Sequence, residues 1–481
     1  MNPTLFLVCF FLYILGMIWF GWWVTRKKQS GGDFLLGGRS LPLFLTLGTT
    51  LATMVGTGSS MGAVGKAYQS GWMGALYGVG GAMGILIMAW LFAPVRRHRF
   101  MTMAEELSSY VGANRSVANL VGVFTFLSSV GWLGAHILGG GKYLEFVTGM
   151  DPLWAKTWIA LGFGIYAAIG GYRAVVWTDT LQAVVLFGGF LITALYAFRL
   201  VGGWDGLDGI NAQLAAEAGA GIALPSVSLI VAIAVGVLGT PSFRQRIYSG
   251  ESIKAIRKAF VGSGLLYLAF AALPAVIGMA AYQFNSDLSG SDLAFPWMAT
   301  EVLPVALGML ILLAGLSATM SSASSDAIAG VTTLLRDLYH CVFKKMPPPE
   351  KVVRYARVAL GTTTALALGM ALAADSIIGY IADIIALFIT GMCACGILGR
   401  LWPRYNAPGA IASLVGAFAT AITFKFVPGW QEYWGNPVIP SLTVSFVAGV
   451  FASLLTPPDT RSHDEALELL RKERDEMQVD R

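Results

Sequence analysis

The sequence predicts an all-α membrane protein of about thirteen transmembrane helices, and three observations carry that prediction. Composition is the first: of 481 residues, 56% are hydrophobic and only 12% charged, a balance that a soluble chain of this size would rarely show. The second is the recurrence, from one end to the other, of apolar runs about 20 residues long, each able to cross a hydrocarbon core ~30 Å thick. The third is the sorting of basic residues into alternate loops. The lipid bilayer is therefore the first partner, and the pI near 8.9 reflects loop bias without calling for a nucleic acid.

The runs cover approximately 3–25, 41–65, 72–95, 116–141, 156–171, 178–202, 225–248, 259–282, 303–335, 352–373, 376–399, 407–428 and 438–456. The leading run lacks the basic start and small-residue cleavage site of a signal peptide, so it reads as a retained helix. No linker is long enough for a soluble domain. Arg26, Lys27, Lys28 and Arg39 precede the second run, and Arg96, Arg97, Arg99 and Arg115 follow the third, which assigns both loops to the cytoplasm. Alternation then leaves about 27 of the 32 Lys and Arg inside, with Lys66, Lys142, Lys156, Arg199 and Lys425 outside. The amino terminus is outside and the carboxyl terminus inside, across what reads as a bacterial plasma membrane. Residues 459–481 form a charged, Leu-spaced tail, expected as a short amphipathic cytoplasmic helix. Cys9, Cys341, Cys393 and Cys395 suggest neither a disulfide framework nor a zinc site, since Cys393 and Cys395 lack a second pair.

Two runs carry the seeds of a break. Gly48 to Gly62 reads G-T-T-L-A-T-M-V-G-T-G-S-S-M-G, too rich in glycine and hydroxyls for an uninterrupted helix. Gly236-Val237-Leu238-Gly239-Thr240-Pro241 interrupts the run five spans later, where proline removes a helix hydrogen bond. Broken helices free backbone carbonyls at membrane depth, which is tolerated only where they line a cavity or bury in protein. Their separation and opposite orientation suggest an inverted repeat of the secondary-transporter kind, although two independently kinked helices would read the same way.

The run 303–335 contains M-S-S-A-S-S-D inside a hydrophobic helix. Ala318, Ser321, Ser322 and Ser325 follow i, i+3, i+4, i+7 and so share one helical stripe. Such a stripe serves either a tight helix contact or a ladder of oxygens for a small hard cation.

The run Ile169-Gly-Gly-Tyr-Arg-Ala-Val-Val-Trp-Thr-Asp-Thr-Leu-Gln182 resembles the Y-G-G-x-x-A-V-x-W-T-D-x-x-Q signature of the sodium:solute symporter family, which includes sodium/glucose, sodium/proline and pantothenate carriers. M-S-S-A-S-S through Arg336-Asp337-Leu338-Tyr339 is similar to that family's core helix 8, and Gly239-Thr240-Pro241 with Gln245-Arg246 to its core helix 6. Trp402 with Pro408-Gly409-Ala410 resembles a junction near core helix 10. The resemblance implies a five-plus-five inverted repeat of the leucine-transporter type: a leading helix (1–28), repeats at 40–202 and 223–400, two trailing helices (405–458) and the tail. It also implies a sodium ion held by Ala52 and Val55 of core helix 1 and by Ala318, Ser321 and Ser322 of core helix 8. Some members hold a second sodium, and the matching set is Asp179, Ser321, Ser324 and Ser325. Against that, Asp179 with Gln182 could be a helix cap.

The solute cavity implied by the resemblance is framed by Thr57, Gly58, Ser59, Ser60, His136, Gly239, Thr240 and Pro241, with Asp383 of core helix 10 at its entrance. Relatives often carry glutamine at the position of His136, which either touches solute or bonds a neighbouring helix. Asp326 is expected to turn toward the cytoplasmic vestibule rather than to meet an amine. The function implied is sodium-coupled symport of a small solute, without catalysis or an organic cofactor. The G-T-P form of core helix 6 looks closer to proline and pantothenate carriers than to sugar carriers, which favours an amino acid or small carboxylate over a sugar or sialic acid. A sensor or ion-conducting protein on the same fold is the alternative of a different class.

Overall fold

A computed structural model describes residues 3–26, 30–218, 224–345 and 347–476. Lys27 and Lys28 of the first basic loop, residue 223 at the expected start of the second repeat, and the end of the tail at 477–481 lie outside the described residues. Among the described residues the secondary structure is helical, with a single isolated bridge between Leu41 and Gly250.

The main helices are α1 (Pro3–Val24), α2 (Leu43–Met54), α3 (Gly58–Leu91), α4 (Arg115–Thr148), α5 (Pro152–Leu200), α6 (Leu224–Gly239), α7 (Pro241–Ser249), α8 (Ile253–Phe284), α9 (Val305–Phe343), α10 (Pro349–Leu372), α11 (Ile377–Leu401), α12 (Ala407–Phe424), α13 (Val438–Leu455) and α14 (His463–Glu476). Among the described residues, ten are long and apolar enough to cross a membrane, or eleven if the bent pair α6–α7 is one span. The chain is an integral, multi-pass membrane protein.

The difference from thirteen has a physical source: breaks that divide spans do not coincide with helix ends. The expected run 41–65 is split between α2, only 12 residues long, and the start of α3. The runs 156–171 and 178–202 are fused in α5, whose 49 residues would reach roughly 73 Å if straight. That helix breaks at Gly171 (φ 58°, ψ −166°), a conformation open mainly to glycine, and a Cβ there would lie 2.7 Å from the Phe34 ring. The glycine pair of the signature run thus marks a real corner.

At the centre stands α9, with every residue from Ala314 to Thr333 buried. A helix covered on all sides must carry small side chains, because apolar helices in lipid associate by close packing and hydrogen bonds rather than by hydrophobic exclusion. At the periphery, α1 and α13 present Leu12, Trp19 and Leu455 outward, as lipid-facing helices do.

The tail helix α14 is docked, which its charge pattern alone did not indicate. Ala466 and Leu470 are buried, Glu473 pairs with Arg115 and with Arg336 of α9 (3.2 Å), and Arg474 reaches Glu105 (3.5 Å). His463 Nδ1 lies 3.0 Å from the Ser109 carbonyl oxygen. The tail therefore ties α9, α4 and the short helix Met103–Ser109 together at the basic end of the bundle.

Candidate functional site

The site forms where α2 stops. Val55 takes φ −88°, ψ 69°, and the chain re-enters a helix at Gly58. The carbonyls this frees are satisfied in two ways. Ser59 and Ser60 fold back, Ser59 Oγ donating to Met54 O (3.0 Å) and Ser60 Oγ to Gly56 O (2.7 Å). The serines of α9 supply the rest: Ser321 Oγ donates to Ala52 O (3.0 Å) and Ala318 O (3.2 Å), and Ser322 Oγ to Thr53 O (3.1 Å). A Cβ on Gly56 would meet Ser322 Oγ at 2.8 Å and His136 Cε1 at 3.0 Å, so only glycine lets the break approach α9 and α4 together.

The second break lies opposite. Thr240 is extended (φ −76°, ψ 129°) and Pro241 opens α7 at its first position, with a 43° bend from α6. Thr240 Oγ1 donates to the freed Gly236 carbonyl (2.6 Å) and accepts from Trp132 Nε1 (3.0 Å). Arg244 Nη2 donates to Leu238 O (3.1 Å). Between the breaks is a cavity of about 50 Å³, lined by Thr53, Gly56, Gly58, His136, Thr240 and Asp326, with Tyr77, Trp132, Phe243 and Tyr267 as aromatic walls. By the usual size of a water site, this is room for only a few water molecules.

His136 spans the cavity floor. Its Nδ1 lies 2.9 Å from Thr57 Oγ1 and its Nε2 3.3 Å from Asp326 Oδ2, while its ring stacks on Trp132. The expected vestibule position of Asp326 is corrected: its carboxylate faces the cavity, because residue 326 follows the stripe by 100° and turns toward α4.

Three observations describe the cluster around Asp179, expected as a second sodium site or, alternatively, a helix cap. Asp179 is no cap: α5 runs unbroken from Gly171, and its fully buried carboxylate sits two turns inside. It accepts from Thr49 Oγ1 (2.6 Å) and Ser325 Oγ (3.1 Å). It is also not unpartnered, since Arg246 of α7 reaches it at 3.4 Å while donating to Thr49 Oγ1 (2.7 Å), Thr53 Oγ1 and Ser325 Oγ (2.8 Å). Ser324 stands apart, bonded back to Met320 O (3.0 Å) and Ser321 O (3.1 Å).

Of the remaining expected site residues, Thr57, Gly58 and Thr240 meet the cavity or its histidine, whereas Gly239 packs on Ile389 and Pro241 lines a separate small hollow with Gln245 and Tyr248. Asp383, expected at the solute entrance, pairs with Lys425 (2.7 Å) in a half-exposed surface hollow and is not among the residues lining the cavity. Ser322 Oγ reaches the Thr53 carbonyl, two residues before the Val55 carbonyl expected to face the ion.

The family model described as "Sodium:solute symporter family" matches residues 34–416. The chain belongs to the sodium:solute symporter family. It is a transporter, not an enzyme. Among curated relatives, it is 26% identical to the sodium/glucose cotransporter of Vibrio parahaemolyticus, covering 94% of this chain and 90% of the relative. It is likewise 26% identical to the sodium/proline symporter of Salmonella typhimurium, covering 96% and 95%. A solved Na+-coupled sialic acid symporter, in a substrate-bound outward-open state, superposes with a TM-score of 0.80 at 20% identity, over 95% of this chain and 98% of that one. The leucine-transporter type of fold is thus established.

Within this symporter, Thr49, Thr53 and Arg246 were missed as a cluster. The signal was present: two arginines, Arg244 and Arg246, stand in an otherwise apolar run, and a charge at membrane depth demands a partner. Arg244 finds Glu106 (2.9 Å), whose other oxygen accepts from Tyr248 (2.6 Å). Arg246 finds Asp179.

Proposed function

We propose that this symporter couples an inward sodium gradient to import of a small polar organic solute, an amino acid or small carboxylate, by alternating access. Sodium is taken between α2 and α9 by the carbonyl oxygens of Ala52, Val55 and Ala318 and the hydroxyls of Ser321 and Ser322. The observation that supports this best is the Ser321 hydroxyl bridging from α9 to the Ala52 carbonyl where α2 breaks. Buried neutral hydroxyl and carbonyl oxygens suit a hard monovalent cation.

The solute is taken by His136, Thr57, Gly58 and Thr240 in the adjoining cavity, which widens from its present room for a few water molecules as the transporter opens. A side chain at Gly56 would meet both Ser322 and His136, so the break packs between the ion and solute positions; sodium and solute order the same segment, and each raises the affinity of the other. Arg246 already supplies a cation to Asp179, which favours one sodium per cycle over a second ion at Asp179, Ser321, Ser324 and Ser325. The amino terminus is outside and the tail cytoplasmic, in a bacterial plasma membrane.

Reconstituted vesicles test the reading. An inward sodium gradient should concentrate an amino acid, and a potassium gradient should not. Equilibration without accumulation would refute coupling, and sodium-driven glucose uptake would overturn the solute class.

A further inference from the structure

The cavity has an electrostatic asymmetry. Asp326 is the one carboxylate among its lining residues, which include no lysine or arginine. The side chain is only 4% exposed, and while Oδ2 meets His136, Oδ1 is buried without a hydrogen-bond partner. With Thr57 donating to Nδ1, the ring passes its one remaining N–H to Asp326 Oδ2, so the histidine serves one carboxylate oxygen and leaves the other to a different donor. A buried carboxylate oxygen without a donor is costly, and it makes a strong acceptor for a cation that arrives.

The walls point the same way. Trp132, Tyr77, Phe243 and Tyr267 surround the cavity, and the negative faces of aromatic rings attract ammonium groups. A plain carboxylate would meet like charge at Asp326, and a sugar would leave the charge without a counter-ion.

We infer that the solute carries a positively charged nitrogen, an ammonium or quaternary ammonium, which docks on the Asp326 carboxylate within these aromatic walls. The inference rests on the symporter reading above and narrows it: an amino acid or an amine fits, and a simple carboxylate or sugar does not. His136 and Thr57, which the reading above places beside the solute, also hold the carboxylate in position.

Thermal stability of the purified full-length protein, in sodium and in potassium, is read against a panel of the common amino acids, choline, betaine and putrescine. Matched compounds lacking the charged nitrogen accompany them: propionate for alanine, cyclopentanecarboxylate for proline, the tert-butyl isostere for choline, with glucose added. At least one nitrogen-bearing compound should stabilise the protein in sodium while its match does not. Asp326→Asn should weaken that compound's apparent affinity about tenfold to a hundredfold, the range of a hydrogen bond to a charged group, with partial recovery in Asp326→Glu. Stabilisation by a deaminated match or by glucose, or by none of the nitrogen-bearing compounds although sodium alone stabilises, overturns the inference. So does an Asp326→Asn variant that shifts only the sodium requirement. Absence of any sodium effect on the unmodified protein would instead remove the symporter reading beneath it. The panel needs no variant, so misfolding of Asp326→Asn leaves the test intact.

Discussion

Removing the Ser321 hydroxyl should weaken sodium without unfolding the protein. The hydroxyl is fully buried and donates to Ala52 O and Ala318 O at 3.0 and 3.2 Å, so it joins the two elements that the ion must also join. In the sodium-free protein Ser321→Ala loses a neutral hydrogen bond, worth about 1 kcal/mol. With sodium bound it loses a contact to a charge, worth about 1.5–3 kcal/mol by analogy with hydrogen bonds to charged groups. The difference, about 0.5–2 kcal/mol, corresponds to roughly a 2–30-fold rise in the sodium concentration for half-maximal uptake.

Linkage adds a second signature. Solute affinity should fall by a similar factor when sodium is limiting and recover when it is saturating, because the lost energy belongs to the ion. Uptake into vesicles at matched protein density measures both. Ser317→Ala is the control: Ser317 lies on α9 but bonds Tyr13 of α1 and the Leu313 carbonyl, so sodium dependence should not move. Unchanged sodium dependence in Ser321→Ala, or an equal change in Ser317→Ala, would refute the placement of the ion.

Other consequences are as direct. With Arg246 serving Asp179, sodium activation should be hyperbolic with one charge moved per neutral solute, and a sigmoidal curve would show that a second ion enters. Asp179→Asn leaves a buried guanidinium without its counter-charge and should cost about 3–5 kcal/mol in thermal or denaturant unfolding, much of it recovered by adding Arg246→Gln. Glu473→Ala should loosen the tail from Arg336 and Arg115, seen as faster proteolysis near residue 460 and a lower melting temperature; an unchanged cleavage rate would show that the tail is held by Ala466 and Leu470 alone. His98, in the loop after α3, is held down at about 4 by burial first and then by the charges of Arg97, His463, Arg400 and Arg474. Because an unfolded histidine titrates near ~6.5, its contribution to stability is present above that pH and is lost as pH falls toward about 4, so His98→Gln should flatten the acid limb of the melting curve. Parallel curves for the two proteins would contradict this.

What the sequence by itself determined is what the backbone and helical periodicity control locally. The breaks at Val55 and Thr240 were legible because glycine runs weaken a helix and Pro241 has no N–H to give. The serine stripe was legible because i, i+3, i+4 spacing puts side chains on one face whatever surrounds it. Tertiary packing decided which neighbour each face meets. Ser324 and Ser325 are adjacent, yet one hydroxyl turns back to its own helix and the other reaches Asp179 on α5 and Arg246 on α7, since 100° of rotation separates them and only the second faces those charges. Asp326 could not be sent to the cavity from its position in the chain, because the choice between vestibule and cavity depends on where α4 places His136, 190 residues away. Asp179 likewise read as a sodium ligand or a cap until α7 brought Arg246 against it: spacing along a chain orders the faces of a helix, but the pairing of buried charges is fixed by which helices touch.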